Sequence, residues 1–573
     1  MRGQKPTEHP SAVWLVATSE CPNRASDFFK NTMPTVTINQ KPITVPDGTS
    51  IIQAAEQLSI EIPRYCYHPG LSVAGSCRMC LVEVEKAPKL QPACNTRVTD
   101  GMVVTTNSPK VKEAVSGVLE FLLINHPLDC PVCDQAGECY LQEYYMKFGL
   151  YDSRMNENKI KRHKAEVIGP HVILDTERCV LCSRCVRFVR EVSHTNEIGI
   201  FNRGGQSEIR LLPEQALDNN YSGNVVDICP VGALTDRDFR FQCRVWYLSK
   251  ANSVCNGCSR GCNITVEANR QRPHHGEGRR VLRLKPRFNK DVNQWWICDI
   301  GRYGYKFIDD ASRLTQPLER KNDDFEAVDW KIATQRALDQ IQAAKQSAGA
   351  NSIVVVASPQ LTNEDLFVTR KFLGVDLGIE QIDFRVPEVV RSESDGFLLR
   401  ADRNPNTRGA EAILLDGDGF SLSRMIESPG KQALKLLYIC EQDLTKKFGD
   451  ARAREFVGQF EYVIYQGSNE NETSLMANLV LPAATYAEST GTFTNFEGRV
   501  QKMKAGIEPL GDSMPAWQIV CKLANAAGFD YSYESAEEVF VDLAQTVTEF
   551  EGLSYERIGD QGAKLAESAP VQT

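Results

Sequence analysis

Apolar and polar positions alternate in Thr35-Val-Thr-Ile-Asn39 and again in Ile43-Thr-Val-Pro46, the period of half-buried strands, so the segment predicts strand, turn, strand. A cap at Thr49 or Ser50 then opens a helix through IIQAAEQL. Val103 to Thr106 reads as a further strand. Ser108-Pro109 is a strong helix start, with Val111, Val115, Val118, Leu119 and Leu122 on one stripe and His126 delivered at the end. From about Asp309 onward the pattern changes. NSIVVVAS, EAILLDG, ALKLLYIC and FEYVIYQG read as short apolar strands separated by helical stretches, the signature of an α/β domain with a largely parallel sheet. No window approaches the roughly 18 consecutive apolar residues that span a bilayer. Membrane association, if any, is expected through partners.

At 573 residues the chain predicts about three to five domains. A hydrophobic content of 42% and a net charge of −9 are ordinary for a globular protein and make nucleic acid an unexpected partner. Residues 1 to 32 hold only a six-residue apolar run, Ala12 to Ala17, and carry acids at Glu8, Glu20 and Asp27. That is too short for a secretory signal and too acidic for a transit peptide, so the folded protein is expected to start at Met33 after a disordered extension.

The 19 cysteines are clustered, which does not suit a disulfide scaffold. Fifteen fall into four groups of four candidate ligands once His126 is included, and the scattered Cys21, Cys243, Cys440 and Cys521 read as inert buried thiols. The first group is Cys66, Cys77, Cys80 and Cys94, following the strand pair and helix of a β-grasp ferredoxin. A C-x2-C pair sets two thiolates on one turn to grip one iron, and the small residues of GLSVAGS let backbone N–H groups approach sulfide. A zinc ribbon is the alternative.

The second group, His126, Cys130, Cys133 and Cys139, fits a zinc site of three thiolates and one imidazole or an iron–sulfur cluster equally on spacing. In the third, Cys179, Cys182 and Cys185 stand at C-x2-C-x2-C with a distant Cys229 in DICPVGAL. This is the ferredoxin pattern for a cubane cluster; a zinc tetrahedron would strain the middle thiolate. Nearby Arg178, Arg184, Arg187 and Arg190 either offset cluster charge or form a solvated face. The fourth group, Cys255, Cys258, Cys262 and Cys298, leaves zinc and iron–sulfur open on spacing alone.

The four groups in this order closely resemble the large electron-transfer subunit family of proton-pumping NADH:quinone oxidoreductase, respiratory complex I, called the G subunit in bacteria. The resemblance rests on CYHPGLSVAGSCRMCLVEVE, HPLDCPVCDQAGECYLQE, CVLCSRCVRF with DICPVGAL, and CNGCSRGCN followed by KPRFNKDVNQWWICDIGR, and it runs from Met33 to about Leu523. It implies a [2Fe–2S] cluster on Cys66, Cys77, Cys80 and Cys94, and a His-ligated [4Fe–4S] cluster on His126, Cys130, Cys133 and Cys139. It further implies a [4Fe–4S] cluster on Cys179, Cys182, Cys185 and Cys229, and another, found in only some members, on Cys255, Cys258, Cys262 and Cys298. The inserted RQRPHHGEGRR lengthens the gap before Cys298 and leaves that last site's occupancy open. One [2Fe–2S] and two or three [4Fe–4S] clusters are thus expected.

The implied fold is a multidomain mixture of α+β and α/β. It comprises a β-grasp ferredoxin domain over 33–108, a [4Fe–4S] domain with one histidine and three cysteine ligands over 109–165, and a ferredoxin-like [4Fe–4S] domain over 166–250. A molybdopterin-oxidoreductase-type cluster domain follows over 251–308, and a truncated molybdopterin-oxidoreductase-like domain over 309–573. The last is expected to lack molybdopterin, since no cysteine is placed to ligate the metal; Ser392 or Ser394 is the remaining candidate. With no G-x-G-x-x-G after a strand and no P-loop, nothing reads as a substrate site. The expected partners are a flavin subunit that binds NADH and quinone-side iron–sulfur subunits, in a hetero-oligomer peripheral to the cytoplasmic face of a bacterial plasma membrane. The competing readings are the relay subunit of an NAD-linked hydrogenase or formate dehydrogenase, a molybdenum enzyme, and a structural zinc protein.

Overall fold

The computed structural model describes residues 33–566 except 270, 271, 273, 388–392, 416–419 and 428–432. The extension expected over residues 1–32, Cys21 and Ser392 lie outside the described residues. The chain forms two compact units, one of residues up to Ile62 with Cys80–Val111, the other of Pro63–Met79 with Lys112 onward.

In the first unit, β1 (Thr35–Ile38) and β2 (Lys41–Thr44) pair antiparallel. Asn39 and Gln40 both take positive φ, 47° and 68°, which matches the twist a tight hairpin needs. Next, α1 (Ile51–Gln57) starts at Ser50, whose N–H donates to the Gln53 side chain at 3.0 Å, and it buries Ile51, Ile52, Ala54 and Ala55. With β3 (Leu81–Val84), β4 (Gln91–Pro92) and β5 (Met102–Thr105) the sheet order is β2-β1-β5-β3-β4, with β1 and β5 parallel. This is the expected β-grasp arrangement. The chain continues into α2 (Pro109–Leu123), where the Val111 N–H donates to Ser108 Oγ at 3.3 Å and Val115 and Leu119 are buried.

In the second unit, α3 (Tyr140–Phe148) follows the His126 group. Then come β6 (Glu166–Val167), β7 (Val172–Leu174), α4 (Arg184–Glu191), the hairpin of β8 (Ile198–Phe201) and β9 (Glu208–Leu211), α5 (Asn224–Ile228) and β10 (Leu234–Asp236). The strands β10, β7 and β6 form a small antiparallel sheet. A second antiparallel sheet joins β11 (Leu248–Val254), β12 (Asn263–Asn269) and β13 (Val281–Pro286), ahead of α6 (Asp299–Tyr303).

The α/β region runs through β14 (Leu318–Lys321), β15 (Asp324–Ala327), α7 (Trp330–Ala348), β16 (Ile353–Val356), α8 (Asn363–Thr369), β17 (Ile382–Asp383), α9 (Thr407–Leu414), β18 (Leu436–Cys440), β19 (Tyr462–Gly467) and β20 (Leu479–Pro482). Among the described residues its sheet has seven strands in the order β15-β14-β20-β19-β18-β16-β17. It is parallel from β20 to β17, with an antiparallel edge. Ile353 and Val355 face the core beneath α7 and α8, while Val354 and Val356 face the opposite core with Phe448 and Phe456. Burial on both faces explains the unbroken apolar runs.

One expected strand is a helix. Residues 411–414 of EAILLDG belong to α9, in which Ala410, Ile413 and Leu414 are buried at helical spacing. A short apolar run fits a buried strand or a buried helix alike, and the neighbours decide which forms.

Glu364 on α8 is fully buried, accepting from the Thr492 N–H at 2.8 Å, the Thr492 hydroxyl at 3.0 Å and the Tyr555 hydroxyl at 2.9 Å. Burial nonetheless pushes its pKa up to about 7 from 4.5. The folded state therefore holds this proton more tightly than the unfolded one, and stability is full below about pH 4.5 and is lost as pH rises to about 7. Glu364→Gln is expected to remove this fall, worth up to about 3 kcal/mol at neutral pH. Urea midpoints of both proteins between pH 4.5 and 7.5 check it; parallel curves would refute the buried acid.

Candidate functional site

The third group is the most completely assembled. Its triplet occupies the loop entering α4, where Leu181 and Ser183 take positive φ, 50° and 60°, and Cys229 caps α5. Cys179, Cys182, Cys185 and Cys229 line one small cavity, walled by Leu174, Ile209 and Leu234. Burial, reinforced by the neighbouring thiols, pushes Cys179 and Cys229 up to about 12. Free, these thiols keep their protons; only bound metal draws them off. Among the described residues no three His, Cys, Asp or Glu side chains converge on a single ion. Thiols standing around a space suit a multi-iron cluster.

The arginines supply an independent test. Arg178, Arg184 and Arg187 are each at most 5% exposed, and Arg190 alone lies on a solvated face. Arg178 pairs with Asp129 at 3.0 Å. Arg184 and Arg187 have no carboxylate in ion-pair contact among the described residues. Arg184 donates to the carbonyls of Ile228 at 3.0 Å and Tyr67 at 2.6 Å, and Arg187 to those of Cys66 and Ser72, and of Cys182 at 3.4 Å. Arg184 Nε and Arg178 Nη1 have no hydrogen-bond partner among the described residues. Buried cations need nearby negative charge, and thiolate-bound clusters fit that need.

In the second group, the His126 N–H donates to the Leu123 carbonyl at the end of α2, 3.2 Å away. Burial, and secondarily Arg178, lowers the imidazole to about 4, so the ring is neutral and its lone pair is free to bind metal. Cys130 and Cys133 follow on one turn, exposed and buried respectively, and Cys139 caps α3. Next to it, Glu138 is half-buried, yet Lys285 and Arg283 overcome the desolvation and hold it down to about 2.

Second and third groups adjoin. The Tyr140 N–H donates to the Pro230 carbonyl at 2.9 Å, and a Cβ on Gly232 would lie 2.3 Å from Cys133 Sγ. Glycine is required there by close approach.

All four cysteines of the fourth group are buried. The Cys255 N–H donates to the Cys262 carbonyl at 2.8 Å across a turn with Gly261 at φ 62°. Gly257 N–H points at Cys255 Sγ (3.4 Å) and Gly301 N–H at Cys298 Sγ (3.3 Å). A Cβ on Gly301 would lie 2.8 Å from Cys255 Sγ and 3.5 Å from Cys298 Sγ, so these thiols close over one glycine. The inserted RQRPHHGEGRR joins β12 to β13 at the end of β12 away from Cys262, about 23 Å of strand. Asn224 ties this group to the third, exchanging hydrogen bonds with Ile297, 2.7 and 3.1 Å.

The first group is described by halves. In the second unit the Cys66 N–H donates to Cys77 Sγ at 3.4 Å. In the first unit Cys80 and Cys94 are buried, and the Cys80 carbonyl accepts from the Ala93 N–H at 2.8 Å. Cys243, Cys440 and Cys521 are buried among apolar side chains, as expected. Ser394 Oγ accepts from the Ala401 N–H at 2.9 Å. Sequence reasoning missed Gly232, Gly301 and Asn224. The only signal for the glycines was their place beside ligands, in CPVGAL and CDIGR.

Family comparisons match a 2Fe-2S iron-sulfur cluster binding domain over residues 31–109 and the NADH-ubiquinone oxidoreductase-G iron-sulfur binding region over 116–154. They also match the ferredoxin-like domain of NADH-quinone oxidoreductase subunit 3 over 169–235, the molybdopterin oxidoreductase Fe4S4 domain over 248–310 and molybdopterin oxidoreductase over 403–526. The chain is 30% identical to the NADH-quinone oxidoreductase G subunit of Rickettsia conorii, over 88% of this chain and 89% of that protein. It is 31% identical to the mitochondrial NADH-ubiquinone oxidoreductase 78 kDa subunit of Neurospora crassa, over 92% and 86%. The chain belongs to the G-subunit family of NADH-quinone oxidoreductase. It is an iron–sulfur electron-transfer subunit, with one [2Fe–2S] domain and [4Fe–4S] domains. A further G subunit of this family, from Streptomyces coelicolor, is 42% identical over 68% of this chain and 45% of its own length. A chain of an NAD+-reducing [NiFe]-hydrogenase shares 27% identity over 37% of this chain and 91% of that one, at a TM-score of 0.33 that carries no argument.

Proposed function

We propose that this chain relays electrons within an NADH:quinone oxidoreductase, taking them from a flavin subunit that binds NADH and passing them to a quinone-side iron–sulfur subunit. In this reading the [2Fe–2S] ligands are Cys66, Cys77, Cys80 and Cys94, and the [4Fe–4S] ligands are His126 with Cys130, Cys133 and Cys139, then Cys179, Cys182, Cys185 and Cys229, then Cys255, Cys258, Cys262 and Cys298. Clusters so held supply one-electron redox chemistry at each site.

The observation that carries the reading is the junction at the third group. Its four thiols line one cavity, and its flanking residues reach each other group: Arg187 the Cys66 carbonyl, Gly232 the Cys133 sulfur, Asn224 the backbone beside Cys298. The first and second groups thus meet through the third, and the fourth hangs on a branch. Around the second group Leu128 is 88% exposed and Val132 60%, with Phe241 and Trp246 also exposed. Such a patch beside an exposed ligand suits the downstream partner. No helix of the described residues is long and apolar enough to cross a membrane. Kinship supports a place at the cytoplasmic face of a bacterial plasma membrane, held through partners.

Anaerobic purification followed by iron, sulfide, zinc and molybdenum analysis tests the assignment. About 14 iron atoms per chain and no molybdenum are expected. About 10 would mean one empty cubane site, and stoichiometric zinc or molybdenum would overturn the reading.

A further inference from the structure

The α/β region holds a cavity of about 550 Å³ that the electron-transfer role does not use. It opens at the carboxyl ends of β16, β18, β19 and β20. In the order β17-β16-β18-β19-β20 the chain runs to one side of β16 for β17 and to the other for β18. The carboxyl edge at such a switch point is where open parallel sheets bind ligands.

The lining states what kind of ligand. Asp310, Asp365, Asp443 and Glu470 contribute carboxylates, and Glu441 a carboxyl group that burial raises to about 7 against the pull of Arg313, facing the ammonium groups of Lys306 and Lys446. Both lysines are engaged, Lys306 with Asp238 at 2.9 Å and Lys446 with Asp443 at 3.3 Å. The surplus is negative, which disfavours any phosphate-bearing ligand. Two further side chains are unsatisfied. Ser489 and Tyr486, each 7% exposed, line the cavity with hydroxyls that have no hydrogen-bond partner among the described residues. Glu441 stands directly after β18 with φ 48°, and of its two carboxylate oxygens Oε2 accepts from the Ser468 hydroxyl at 3.3 Å. Among the described residues no three of these groups converge on one ion, so a metal is not indicated. Phe307, Phe493 and Met503 add apolar wall between the acids.

We propose that this cavity binds a small organic polycation of the polyamine class, with one ammonium between Glu441 and Ser489 and the aliphatic segments along Phe493 and Met503. Spaced positive charges joined by methylenes match spaced acids joined by apolar wall.

Spermidine is the probe. Titrated by calorimetry into the purified full-length chain at constant ionic strength, it is expected to bind saturably, one per chain. Glu441→Gln, which keeps the side-chain shape, should weaken binding about tenfold. Ser489→Leu, which fills the cavity, should abolish it, and Glu461→Gln on the exposed surface should leave it unchanged. The two cavity variants act independently, so either can carry the test if the other fails to fold. Absence of saturable binding, or equal binding in the wild type and a folded cavity variant, would overturn the proposal and mark any heat as surface charge pairing.

Discussion

Gly232→Ala is expected to empty the site of His126, Cys130, Cys133 and Cys139 and to stop electron transfer through the chain. The added Cβ would lie 2.3 Å from Cys133 Sγ and 3.1 Å from Gln135 Cβ. Neither side can retreat. Gly232 follows the proposed ligand Cys229 by three residues and precedes Ala233, whose carbonyl accepts from the Asp175 N–H at 2.7 Å. Cys133 is held in turn by its carbonyl, which accepts from Arg244 at 2.7 Å. Overpacking of this kind costs about 1–3 kcal/mol where the surroundings can yield; here the yielding group is a proposed metal ligand. Iron should fall from about 14 to about 10 per chain, with one cubane signal missing from the electron paramagnetic resonance spectrum. Quinone reduction by the assembled complex should fall at least about tenfold, since this site ends the line of contacts from Cys66 through Cys182. Gly205→Ala is the control, because a Cβ there meets nothing within 4 Å. Full iron content in the Gly232 variant would sink the assignment.

Gly301→Ala should give the same loss of iron with the opposite result for turnover. Its Cβ would press on Cys255 Sγ at 2.8 Å and Cys298 Sγ at 3.5 Å, displacing two ligands of the fourth group at once. The N–H that now points at Cys298 Sγ from 3.3 Å would shift with them. Contacts of the fourth group with the third pass through Asn224 and Ile297, to one side of the line that joins Cys66, Cys182 and Cys133. About 10 iron atoms per chain with quinone reduction within about twofold of wild type is the expected pair of results. A collapse of turnover would place the fourth group on the line and redraw the order of sites.

Much of the site was legible because ligand spacing is a local property. Cys179, Cys182 and Cys185 fall on one loop and the helix turn it enters, whatever the rest of the chain does, and Cys130 and Cys133 share one turn. The gap before Cys298 is harder to read from spacing for the same reason: an insertion between β12 and β13 lengthens the spacing without separating the cysteines, which are all buried. The buried arginines were less legible. Sequence left them between charge compensation and a solvated face, and the structure divides them, with Arg178, Arg184 and Arg187 inside and Arg190 outside.

By itself, the sequence set out four candidate ligand groups, the β-grasp start with a helix cap at Thr49 or Ser50, and the parallel sheet marked by Ile353 to Val356, because turns, caps and apolar periods are written in neighbouring residues. Only the tertiary structure decided that EAILLDG would join a helix, that Gly232 would meet Cys133, that Arg187 would span Cys66 and Cys182, and that the strand ends would enclose an acidic cavity. Those contacts join residues far apart in the chain. Burial is rewarded without regard to direction, so the partner of a distant residue is settled by how whole elements pack, which no local spacing records.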